Sequence, residues 1–137
     1  MLNEMSKWFN RLSVAFGYIG GIICYFLGGW DKLLSTLITL IVIDYGTGVI
    51  KAMYKHELSS SVGFRGILKK VIMLTFVIAC VALQNVINLP IREIVIMFFI
   101  CNEGISIIEN TGEIIPIPDK LKNVLQRLRD DETDKIE

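Results

Sequence analysis

The sequence predicts an all-α, polytopic integral membrane protein, and three observations carry that prediction. The charged residues of the 137-residue chain, 14 basic and 14 acidic, cluster outside four apolar blocks: Leu12–Trp30, Leu33–Ile50, Val71–Leu89 and Ile94–Ile108. Two blocks are uncharged, and two carry a single acid each, Asp44 and Glu103. Blocks of roughly 20 apolar residues match a hydrocarbon core about 30 Å thick. A soluble domain of this length has too little interior to hide four such segments on all sides. The hydrophobic fraction of 53% and the zero net charge decide little by themselves; the distribution decides.

The same inventory removes other classes. The one histidine, His56, leaves no His-based metal site or Ser-His-Asp triad. Cys24, Cys80 and Cys101 lie inside apolar blocks without CxxC spacing and read as small buried residues. No glycine-rich phosphate loop occurs, and a balanced charge gives no reason to expect nucleic acid. The expectation is no enzyme and no cofactor.

Lys7 and Arg11 precede the first block in the manner of a signal peptide. The block is long for such a segment, however, and Gly28-Gly29-Trp30 offers no cleavage site, so it reads as an uncleaved first span. The second block is interrupted only by Asp44, and the third ends at Pro90, a helix breaker. The fourth has 15 residues, which as a helix reach about 22 Å, short of a bilayer core. Four spans are therefore expected, with three plus an interfacial helix as the alternative. Residues 1–110 form the membrane domain and 111–137 a cytoplasmic remainder. There Pro116 and Pro118 precede Asp119 as a helix N-cap, and Leu121, Val124, Leu125 and Leu128 make the apolar face of a short amphipathic helix. Lys120, Lys122, Arg127 and Arg129 occupy its other faces, suited to anionic headgroups, and the last eight residues read as an acidic, disordered tail.

Positive charge sets the expected orientation. The connector from Lys51 to Lys70 holds Lys51, Lys55, Arg65, Lys69 and Lys70 against Glu57 alone, whereas the other two connectors have one base each. The positive-inside rule then places both termini and this loop in the cytoplasm. Ser59, Ser60, Gly63 and Gly66 supply turn chemistry in the loop, and its basic residues anchor at headgroups.

Asp44 and Glu103 are the most informative positions, because an ionisable residue near a bilayer centre costs a few kcal/mol unless paired, hydrated or protonated. Thr36, Thr39, Asp44, Thr47 and Lys51 share one side of a helix. Asn102, Ser106, Glu109 and Glu113 form a second stripe beside Glu103 and Asn110, and Gln84 with Asn88 adds a third. Such stripes serve either as interhelical polar contacts within one molecule or as a face of a pore or oligomer; the residues leave both open. Asp44 has no opposite charge nearer than Lys51 on its own helix, so a partner in another subunit is expected. Gly17 with Gly21, and Gly48 with Ala52, are small pairs that allow close helix approach.

These residues, taken in order, resemble the small holins of Gram-positive phages, including those associated with clostridial toxin secretion. The resemblance rests on Asp44 with Gly48, Lys51-Ala52, the Ser59-Ser60, Gly63, Gly66 and Lys69 segment, Asn102-Glu103, Ser106-Ile107, Glu109-Asn110, and Pro116 or Pro118 ahead of Leu121 and Leu125. It implies a protein that accumulates in the bacterial cytoplasmic membrane, forms homo-oligomers and permeabilises it, so that an endolysin or a toxin passes. It also brings an antiholin into view as a partner. Two other classes stay open: a small ion channel or transporter component, with a narrow path around Asp44 and Glu103, and a non-conducting membrane adaptor.

Overall fold

The computed structural model describes residues 1–134 and consists of five helices: α1 Leu2–Phe26, α2 Lys32–Tyr54, α3 Ser60–Ile87, α4 Ile91–Gly112 and α5 Asp119–Asp134. The side chains of Lys122, Leu125, Leu128 and Arg129, and those from residue 131 onward, lie outside the described set. Helices α1, α2 and α3 are long and apolar enough to cross a membrane. With their family, reported below, they make this a multi-pass protein of the cytoplasmic membrane.

Local chemistry explains where the helices begin and end. Asp31 caps α2, its Oδ1 accepting from the Leu34 amide at 2.8 Å. Ser59 caps α3, its hydroxyl accepting from the Val62 amide at 3.3 Å. Asn88 ends α3 in the left-handed conformation at φ 58°, two residues before Pro90.

The observed helix bounds correct three expectations. The segment Lys51–Lys70 is not a long loop: α2 runs through Tyr54, α3 starts at Ser60, and only Lys55–Ser59 connects them. Ser60, Gly63, Arg65, Gly66, Lys69 and Lys70 are therefore helical. The serines cap and open a helix instead of making a turn. The glycines admit Tyr45 of α2, whose ring carbons lie 3.3 and 3.4 Å from where a Gly66 Cβ would stand. The fourth helix is not short either. Its 22 residues reach about 33 Å, because Ile91–Glu93 and Glu109–Gly112, mostly polar, extend the helix beyond the apolar run at both ends. Finally, α5 extends through Asp134, so the acidic run up to that residue is helical.

Helix α4 is central: it packs along α2, meets α3 and carries α5. Leu34 and Leu37 of α2, Val77 of α3, Ile96 of α4 and Leu27 form the buried core. Phe76 and Phe99 meet edge to face beside it, with centroids 6.1 Å apart. Cys80 and Cys101 are buried and Cys24 is half-buried, and none of the three forms a disulfide among the described residues. Helix α1 differs from α2, α3 and α4, since none of its residues is buried. It touches the core only near its end, where Cys24 and Leu27 pack. Its many exposed apolar side chains, such as Phe16 and Ile22, suit hydrocarbon as the surrounding solvent.

Candidate functional site

The two intramembrane acids converge on one lysine. From α3, the Lys70 Nζ donates to Asp44 Oδ2 of α2 at 2.6 Å and also to Glu103 Oε2 of α4. The second oxygen of Asp44 accepts from Asn110 Nδ2 of α4 at 3.2 Å. Asn110 also reaches the Thr47 hydroxyl at 3.4 Å, and that hydroxyl donates to the Asp44 carbonyl at 3.0 Å. Asp44 is 7% exposed and Glu103 3%. Three helices are thus tied by one ammonium and one amide.

The arrangement follows from register. Asp44, Thr47 and Lys51 recur along one face of α2, while Glu103 and Asn110, two turns apart, share a face of α4. Lys70 reaches them because α3 begins at Ser60, eleven residues before its apolar run starts at Val71. Formally the cluster holds two negative charges and one positive. Buried ions need such partners, because the desolvation cost of each is several kcal/mol.

Beside the cluster a cleft of about 640 Å³ runs between α2 and α3 to the basic end of the bundle. Gly48, Ala52, Ser106 and Met73 line it along with the cluster, and Arg65 and Lys69 stand at its outer part. A second ionic group closes the neighbouring helix ends. Glu113, just past α4, pairs with Lys51 Nζ at 3.1 Å and with Lys55. The two ammonium groups hold its carboxyl below the usual range, and Glu113 in turn raises the Lys55 amine.

At the opposite end lies a site that local sequence reading missed. Arg92, 3% exposed, opens α4 and reaches into the α1–α2 turn. Its Nε donates to the Leu27 carbonyl at 2.6 Å, Nη2 to the Gly29 carbonyl at 3.2 Å and Nη1 to Asp31 Oδ2 at 2.6 Å. Hydrogen bonding from Arg92 holds the Asp31 carboxyl below its ordinary value. The Arg92 amide donates to Gln84 Oε1 of α3 at 2.9 Å. Gly28 makes this possible: its φ is +87°, and a Cβ there would lie 2.6 Å from Arg92 Nε. The available signal was Gly28-Gly29 two residues before an acidic cap, with an arginine just after Pro90.

The structure sorts the other sequence-derived candidates. Lys70 leaves the headgroup set and enters the cluster, supplying within one chain the partner that was expected from another subunit. Thr36 and Thr39 drop out of the α2 stripe, since their hydroxyls donate to the carbonyls of Lys32 and Ser35. Asn102 and Ser106 lie on α4 near Glu103, and Ser106 faces the cleft without joining the hydrogen bonds. Gly48 faces Asn110, whose Nδ2 would be 3.5 Å from a Cβ at that position, and Ala52 is buried beside it. Gly17 and Gly21 have open space around them in this chain. Among the described residues no group of histidine, cysteine and carboxylate side chains is placed to hold a metal ion.

Comparison with known proteins assigns the family. Residues 21–130 match the bacteriophage holin family. The chain belongs to that family. The match takes in both the ionic cluster and the Arg92 turn, and begins at the second glycine of the α1 pair. A probable holin of Bacillus phage phi105 is 31% identical over 132 residues, covering 94% of this chain and 92% of its own. An uncharacterised 14.9 kDa protein of Clostridium perfringens is 40% identical over 128 residues, covering 90% and 97%. A protein of Halalkalibacterium halodurans, BH0965, is 35% identical over 127 residues, covering 84% and 91%. No solved structure matches the chain. Holin-family membership accords with a membrane protein without catalytic machinery.

Proposed function

We propose that this protein is a holin that self-associates in the bacterial cytoplasmic membrane and opens it to protein-sized cargo. The observation that carries the reading is the buried Lys70 bridge between Asp44 and Glu103. It closes the polar faces of α2, α3 and α4 on one another, and the same faces become the lining of a hole when helices of several copies exchange partners. Asp44, Thr47, Asn102, Glu103, Ser106 and Asn110 are the polar positions available for that lining. Gly17 and Gly21 on the unburied α1, and Gly48 with Ala52 on α2, are the close-approach positions. Helix α4 crosses the membrane as a fourth span, and both termini face the cytoplasm. The cargo is an endolysin or a toxin, and an antiholin is a candidate restraint.

Graded-size release tests this reading. Vesicles bearing the full chain are loaded with a fluorescent ion indicator, a small dye and a folded protein. Escape of all three after a lag is the expected result. Ion leakage alone would make the protein a small channel, and full retention at high density would make it a non-conducting adaptor.

A further inference from the structure

We infer that the outer part of the cleft between α2 and α3 is a binding site for the phosphate of an anionic phospholipid, with Arg65 and Lys69 as its ligands. This goes beyond the lysis reading and requires only that the helices lie in a bilayer.

Charge accounting at this end of the bundle supports the assignment. Lys51 and Lys55 share the carboxylate of Glu113, and Lys70 is taken up by Asp44 and Glu103. Arg65 and Lys69, one helical turn apart on α3, have no carboxylate partner among the described residues, and both line the cleft. Of the three acids lining the cleft, Asp44 and Glu103 are held by Lys70, which leaves Glu57 of the connector, and the two cations outnumber it. Val49, Leu58, Val62 and Met73 give the lining an apolar stretch, alongside the polar Lys51, Ser106 and Asn110. A cationic rim that continues into an apolar groove between two membrane-crossing helices fits a headgroup with its acyl chain attached. A free inorganic anion would use the rim and gain nothing from the groove. The carboxylates at the floor, held by Lys70, keep a phosphate at the level of Arg65 and Lys69. Tyr45, packed over Gly63 and Gly66, holds the two walls at fixed spacing.

The test is lipid retention by the full-length protein, read by native mass spectrometry from detergent micelles doped with phosphatidylglycerol or phosphatidylcholine. Phosphatidylglycerol should remain bound through delipidation and phosphatidylcholine should not. The R65Q/K69Q variant should weaken retention on the order of tenfold or more, since each base near an anionic lipid contributes about 1 kcal/mol. The K7Q/R11Q variant removes as much charge from the start of α1 and should retain lipid like the unmodified chain. Circular dichroism confirms that both variants are folded. Equal retention by R65Q/K69Q, equal losses in both variants, or equal binding of phosphatidylcholine would each overturn the site. Displacement of the lipid by millimolar inorganic phosphate would reassign it to a free anion. None of these readouts depends on whether the protein releases cargo.

Discussion

Two buried cations hold this bundle together in opposite ways. Arg92 sits at one end with its guanidinium shared among two backbone carbonyls and Asp31, and the planar fork leaves little freedom in how those bonds are made. Lys70 sits between helices on a flexible stem, and its ammonium serves two carboxylates that outnumber it. The Arg92 group, with Asp31 at 2.6 Å and Glu93 more loosely at 3.6 Å as its acids, is pinned by backbone carbonyls and local to two turns, as a rivet is. The Lys70 group sets two carboxyl groups against one ammonium, spans three helices and borders an open cleft. The difference teaches which polar site is built to stay closed and which has an alternative state within reach.

Removing Lys70 should do the most damage. Lys70→Met leaves Asp44 and Glu103 facing each other without a cation, and breaking a buried pair in this way costs about 3–5 kcal/mol. Chemical denaturation in micelles should show that loss, and a change near zero would mean the cluster is hydrated and replaceable. Gly28→Ala comes next. Both the positive φ and the close approach to Arg92 oppose a side chain, so a loss of about 1–3 kcal/mol is expected. That substitution should loosen α1 from the bundle and leave the α2–α4 contacts intact, which protease cleavage of the α1–α2 turn would reveal.

Asp44→Asn and Glu103→Gln sharpen the contrast. Each leaves one carboxylate for one ammonium, so stability should change by less than about 1 kcal/mol, unlike Lys70→Met. The smallest effect belongs to Glu113. Its carboxyl is lowered by Lys55 and Lys51, so its contribution is complete above the ordinary glutamate range and is lost as pH falls through the lowered value. Lys55 is raised, so the same pair weakens again only when pH climbs past the ordinary lysine range and through the raised value. Because the pair is exposed, the change should be slight. A stability profile below the ordinary glutamate range should flatten in Glu113→Gln, and an unchanged profile would show that the pair contributes nothing.

Much of this was legible in the sequence. Four apolar blocks foretold four helices, and Asp44, Glu103 and Asn110 stood out because polar groups are costly among Leu and Ile. Their partner did not stand out. Lys70 adjoins Lys69 at the border of an apolar block, where a lysine ordinarily meets headgroups, and the serines and glycines before it imitate a turn. Only the Ser59 cap, which starts the helix early, carries Lys70 into the interior. Arg92 was hidden for a different reason. Its partners Leu27, Gly29 and Asp31 lie more than 60 positions away, and periodicity reports only on neighbours along a helix. The lone helix α1 was read as a span from its apolar run, but nothing in that run indicates that it stands apart from the core.

The most direct test of the central claim is the time from induction to release of a preloaded protein marker in cells expressing Glu103→Gln or Asp44→Asn. The account predicts delayed release, or none, at unmodified membrane levels and with stability retained. A cluster with one carboxyl group for one ammonium lacks the second acid that favours an exchanged, water-facing arrangement. Release by both variants with the timing of the unmodified protein would contradict it and leave the buried acids as helix packing alone.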